Sequence, residues 1–130
     1  MPYLLDTCVA INLRDSRGDT ASRIVALEDI PFISAITQLE LVGGVYANPE
    51  ISAQRRRALD ALLRRLTVVG FNSEMAEVYG QIVAKSGFNR RKIIDRMIAA
   101  TAMTQGYILI TNNGDDFADI DGLKLEIWKP

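Results

Sequence analysis

Several carboxylates stand where an acid is costly. Asp6 is the only charged residue between Met1 and Leu13, and Glu40 is the only one between Ile30 and Pro49. From Ile93 to Gly114 the charges are Asp95 and its neighbour Arg96, and this apolar stretch ends in the acidic loop Asp115-Asp116-Phe117. An unpaired carboxylate costs several kcal/mol to bury, so a chain that repeats the insertion must compensate for it. Each acid has an ordinary role open to it. Asp6 can cap a helix, Glu40 can emerge on a solvated face, Asp95 can complement a helix dipole or pair with Arg96, and Asp115 and Asp116 can serve as turn residues. A shared site accounts for all of them at once.

The 130 residues include no histidine and one cysteine, Cys8. Ser-His-Asp and Cys-His triads, His-ligated zinc and internal disulfides are thereby excluded. Carboxylates must carry any hydrolysis. Gathered together, they repel one another and raise their own pKa values unless a hard cation neutralises them. An oxygen-only donor set points to Mg²⁺ or Mn²⁺, which can activate water and stabilise charge on a phosphodiester.

The elements that must position these acids alternate along the chain. Residues 3–5 read as a strand ending at Asp6, and 9–13 as a helix turn or two. Asp19 or Thr20 caps a second helix, which ends before Pro31, and 31–34 is the second strand. Thr37 opens a helix through Val45 that Gly43-Gly44 would weaken. Asn48-Pro49-Glu50 starts an amphipathic helix with Leu59, Leu62, Leu63 and Leu66 on one face. Residues 67–69 form a strand, Ser73-Glu74 begins a helix stopped by Gly87, and 93–105 is a buried helix closed by Gly106. A continuous apolar strand at 107–111 and an edge strand within 123–128 complete the chain. This pattern predicts an α/β fold, a parallel central sheet flanked by helices, in a single domain over residues 1–130. Ligand sites in such sheets lie beyond the carboxyl ends of the strands. Asp6 and the 112–116 loop both follow strands, and Asp95, at a helix start, can face the same crevice.

Composition agrees with one domain: 48% of residues are apolar and 24% charged, with a net charge of −1. The chain lacks the overall basic field of a passive nucleic-acid coat, so any polyanion must meet a local patch. Arg90-Arg91-Lys92 directly precedes the Asp95 helix, where a phosphate backbone could reach both the basic cluster and a metal; the alternative is a solvated loop. Arg55-Arg56-Arg57 and Arg64-Arg65 read first as a solvated helix face. No apolar run reaches signal-peptide or membrane-span length, so a cytoplasmic location is expected.

Four segments in order carry a family resemblance over essentially the whole chain. They are Leu4-Leu5-Asp6-Thr7; Ser34 with Thr37-Gln38-Leu39-Glu40-Leu41; Asp95-Arg96-Met97-Ile98-Ala99-Ala100-Thr101-Ala102; and Ile110-Thr111-Asn112-Asn113-Gly114-Asp115-Asp116-Phe117. In these the chain resembles PIN-domain ribonucleases of the VapC type, toxins of type II toxin–antitoxin systems. The resemblance implies a PIN fold and Mg²⁺- or Mn²⁺-dependent endoribonuclease activity leaving 3′-hydroxyl and 5′-phosphate ends. It also implies a homodimer and a VapB-type antitoxin whose C-terminal segment blocks the active site. It carries metal-binding and catalytic roles onto Asp6, Glu40, Asp95 and Asp116. Thr7 matches a hydroxyl position that helps hold the metal-bound water, and Asn113 a position where many relatives have Asp. Cys8 stands where many relatives have Asn, and Asp115 could share the role of Asp116. The alternative within the family is a catalytically degenerate PIN module kept for binding or regulation, against which stands the presence of all four acids. Aspartyl-phosphate phosphatase and phosphoacceptor readings fail because position 8 is not Asp and the middle strands end without one.

Overall fold

The computed structural model describes residues 2–129. Five strands, β1 (Tyr3–Leu5), β2 (Phe32–Ser34), β3 (Thr67–Val69), β4 (Ile108–Thr111) and β5 (Leu125–Ile127), pair in the order β3-β2-β1-β4-β5, every pair parallel. Six helices connect them: α1 (Thr7–Arg14), α2 (Thr20–Val25), α3 (Ala35–Tyr46), α4 (Ser52–Arg65), α5 (Ser73–Ser86) and α6 (Ile93–Gln105). The parallel α/β architecture with an edge strand at 125–127 is the one expected.

The central strands are buried on both faces, which is why they read as continuous apolar runs. Alternation along each strand divides two cores. Leu5, Ile33 and Ile110 pack with Val9, Leu13, Leu41, Leu59 and Leu62 on one face, while Leu4 and Leu109 pack with Ile82, Ile98, Ala99 and Phe117 on the other. Small residues in α6 let it lie close to the sheet: Ala99, Ala100 and Ala102 are fully buried.

Three helix starts differ from the sequence reading: α1 opens at Thr7, directly after its cap Asp6, rather than at Val9, and α3 and α4 also shift. Ser34 caps α3, its Oγ accepting from the Ile36 amide at 3.0 Å, so the helix opens at Ala35 rather than Thr37. Gly43-Gly44 remains helical, because propensity yields to the packing of Leu41 and Val45. Pro49 occupies a short 3₁₀ turn, Pro49–Ile51, capped by Asn48, and α4 begins only at Ser52. The glycine stops are as expected: Gly87 at φ +85° after α5 and Gly106 at φ +72° after α6.

Candidate active site

The sheet delivers Asp6 first. Its amide donates to the Ile110 carbonyl at 2.8 Å, tying the end of β1 to β4. Its carboxylate accepts from the Thr7 amide at 2.9 Å, the Thr111 hydroxyl at 2.7 Å and the Cys8 thiol at 3.4 Å. The helix-cap role and a place in the acidic cleft therefore coexist. Burial pushes the Asp6 carboxyl up, the three donors oppose this, and the charge of Asp116 adds to the rise.

Glu40 reaches the same place from α3. The Thr7 hydroxyl donates to Glu40 Oε1 at 2.6 Å and stands 3.0 Å from the Thr37 hydroxyl. Since Thr7 has one hydroxyl proton and gives it to the carboxylate, the Thr37 hydroxyl must be the donor between the two threonines. A relay from Thr37 through Thr7 thus fixes one oxygen of Glu40.

Asp95 lies in the first turn of α6, half-buried. Its carboxyl is pushed up to about 6, first by burial and then by the charges of Asp6, Asp116 and Glu40, with Lys92 partly opposing. Pairing with Arg96 is not what compensates it. The Arg96 side chain turns away, 2% exposed, donating to the Gly87 carbonyl at 2.6 Å and to Asp119 Oδ2 at 3.1 Å.

The loop after β4 supplies the fourth acid from a 3₁₀ turn, Gly114–Phe117. Asn113 Nδ2 donates to Asp116 Oδ2 at 3.0 Å, and the Asn113 amide donates to the Thr111 hydroxyl at 3.1 Å. Thr111 therefore accepts from the loop and donates to Asp6, coupling the two strand ends. Asn112 pins the loop further, accepting from Asn12 at 3.1 Å and donating to the Trp128 carbonyl at 2.6 Å. Gly114 lies against the Ile127 side chain, which would have to shift to admit a Cβ there. Asp116, rather than Asp115, is the loop acid whose charge is felt at both Asp6 and Asp95.

Arg90, Arg91 and Lys92 form a 3₁₀ turn capped by Asn89, immediately before α6. Lys92 is the member whose charge reaches Asp95, and its ammonium lies 3.5 Å from Asp119. Thr37 and Thr111, which tie the acids together, are absent from the candidate residues read from sequence. Their signal was a polar residue at zero exposure inside core-forming elements, and exposure is a tertiary property.

Among the described residues, no three Cys, Asp or Glu side chains are drawn together tightly enough to hold an ion as they stand. The carboxylates repel one another and rest on local donors instead: Asp6 on Thr111, Glu40 on Thr7, Asp116 on Asn113. The donor set still fits a hard divalent cation. It is all oxygen, and the acids coupled at Asp95 lack an equal number of cations beside them.

Fold and site together define a parallel-sheet α/β protein with a cluster of acids beyond the carboxyl ends of its central strands. The family model of the PIN domain matches residues 3–123. Ribonuclease VapC2 of Rickettsia felis is 31% identical over 135 residues, covering 98% of both chains. The tRNA(fMet)-specific endonuclease VapC of Shigella flexneri is 26% identical over 131 residues, again covering 98% of each. Among solved structures, VapBC2 from Rickettsia felis bound to a DNA fragment from its promoter superimposes with a TM-score of 0.87 at 26% identity, over 99% of this chain and 100% of that one. DNA-bound VapBC from Salmonella typhimurium gives 0.84 at 26% identity, covering 98% of each. The chain belongs to the PIN-domain family, in its VapC branch.

Proposed function

We propose that this chain is the toxin of a type II toxin–antitoxin pair, a divalent-metal-dependent endoribonuclease. The observation that carries the reading is the gathering of four acids beyond the carboxyl ends of the strands, with Asp6 tied to the loop of Asp116 through Thr111, Glu40 tied to Thr7 beside Asp6, and Asp95 near enough for all three to raise its carboxyl. Asp6, Glu40, Asp95 and Asp116 are the residues that would hold Mg²⁺, with Mn²⁺ able to substitute. When bound, such an ion supplies activation of water and stabilisation of the charge that develops on a phosphodiester.

The chain's own groups do the positioning. Thr7 and Thr37 hold one Glu40 oxygen, leaving the other free, and Thr111 holds Asp6 Oδ2. Asn113 holds Asp116 in the neutral way an Asp at that position would not, lowering the negative charge of the site. Arg90, Arg91 and Lys92 receive a phosphate of the incoming RNA. Hydrolysis leaves 3′-hydroxyl and 5′-phosphate ends. The ribonuclease names of its relatives and the VapBC composition of its structural neighbours support an RNA substrate and a VapB-type antitoxin. A homodimer and a cytoplasmic location complete the reading; no helix among the described residues is long and apolar enough to cross a membrane.

The test is cleavage of end-labelled total tRNA and messenger RNA with Mg²⁺, Mn²⁺ or excess EDTA, beside the Asp95→Asn variant. Cleavage that needs the metal and disappears in the variant is expected. Equal silence of both proteins with every metal would instead support the binding module.

A further inference from the structure

A second charged feature opens directly from the acidic cleft. A cavity of about 370 Å³ is lined by Thr7 and Glu40 together with Arg14, Asp15, Arg17 and Arg55. α1 forms one wall, since Thr7, Ile11 and Arg14 share a helix face, and α3 forms another with Glu40, Leu41 and Gly44. Arg55 reaches in from α4, its guanidinium donating to the Gly44 carbonyl at 2.8 Å.

One carboxylate, Asp15, pairs with Arg14 and Arg17 and feels the charge of Arg55. Arg14 grips it twice, at 2.9 and 3.1 Å, with its side chain only 8% exposed. Arg17 stands 3.6 Å away with its side chain 68% exposed. The Arg14 hydrogen bond, followed by the charges of Arg14, Arg17 and Arg55, holds the Asp15 carboxyl below its ordinary range against the effect of partial burial. Three guanidiniums against two carboxylates, Asp15 and Glu40, leave one positive charge over. An isolated surface ion pair would leave none.

The basic feature is also linear. Arg17 lines a further cavity of about 190 Å³ together with Lys129 and with Arg23, which Asp19 of the same lining pairs at 3.1 Å, so the charge of Lys129 continues the positive track past Arg17. From Thr7 to Arg14 the helix rises about 10 Å, on the order of three nucleotides of a stacked strand. A single small anion has no use for such a track; an extended polyanion does.

We propose that the Arg14, Arg17 and Arg55 wall is a subsite for the phosphodiester backbone of the RNA strand, gripping phosphates to one side of the scissile bond. The subsite rests on the nuclease reading for its ligand but sits on different residues from the acidic centre. Arg14, locked to Asp15, sets the shape of the wall, and Arg17, with most of its guanidinium free, makes the phosphate contact.

Binding of a short fluorescein-labelled oligouridylate, followed by anisotropy in EDTA over a salt series, reads the subsite without cleavage. Arg17→Gln and Arg55→Gln are compared with Arg57→Gln, an exposed change of equal charge on α4 outside the cavity. Arg17→Gln should weaken binding by about tenfold and lower the salt slope by about 0.7, while Arg57→Gln changes neither. In tRNA cleavage the same variant should raise KM and leave kcat unchanged. Arg17 and Arg55 variants that match Arg57→Gln in affinity and slope, or a wild-type chain that does not bind the oligouridylate, would overturn the subsite; in the first case the arginines are left to a protein partner. Arginine-dependent binding without cleavage of any RNA would uphold the subsite and count against the nuclease reading alone.

Discussion

At Asp95 the charged form is opposed by burial and by three neighbouring acids, and Arg96, the nearest cation in sequence, is spent on Asp119 and the Gly87 carbonyl. A charged group in that position costs the metal-free fold stability. Asp95→Asn should therefore raise the stability of the metal-free protein by about 1 kcal/mol near neutral pH, solvent screening having reduced the full electrostatic value. The same variant should lose the thermal stabilisation that Mg²⁺ gives the wild type, along with cleavage. Melting curves with EDTA and with Mg²⁺ decide it, and a variant less stable than wild type in EDTA would show that Asp95 is a structural acid. Thr7 offers a second check, because its hydroxyl fixes Glu40 and receives the Thr37 proton. Thr7→Val should cost about tenfold to a hundredfold in kcat, consistent with loss of one positioning hydrogen bond to a charged group, and titration with Mn²⁺ should show weaker binding.

The element that matters most for the site is α6, which presents Asp95 from its first turn while burying six residues farther along. Its angle is set by Arg96, a guanidinium with 2% exposure that reaches both the end of α5, at the Gly87 carbonyl, and Asp119 after the Gly114–Phe117 turn. Asp119→Ala leaves that buried cation without its carboxylate. A loss of about 2 kcal/mol in chemical denaturation is expected, less than for a fully buried pair because Asp119 is partly exposed. The elements themselves were mostly legible in the sequence. Strands 67–69 and 3–5 and the helix 93–105 appear with the bounds read from pattern, because apolar runs and glycine stops are local signals. The start of α3 was not, since Ser34 had to be both the last residue of a strand and the cap of the next helix, and only the juxtaposition of the two elements shows it.

Across the whole molecule, the raised carboxyls of Asp6 and Asp95 link stability to pH. Between about pH 4 and 6 the metal-free folded chain holds protons that the unfolded chain releases, so stability falls as pH rises through that window and levels off above it. Asp15, held down by its arginine partners, acts in the opposite sense, but only below about pH 4. Melts from about pH 4 to 8 in EDTA should therefore decline toward neutrality, and Mg²⁺ should restore the loss at the upper end. A profile that rises toward neutral pH in EDTA would contradict the acidic cleft. The sequence by itself determined the layered α/β fold and marked Asp6, Glu40 and Asp95 as candidates, because both are written as local contrasts: apolar runs of set period, and charges set almost alone inside them. Only the tertiary structure decided what those acids lean on. Thr37 and Thr111 as tethers, Arg96 turned away from Asp95, and Arg55 brought beside Arg14 and Arg17 join residues tens of positions apart in the chain. Hydrogen bonds and ion pairs act over a few ångströms, and sequence distance does not encode that separation until the sheet has formed.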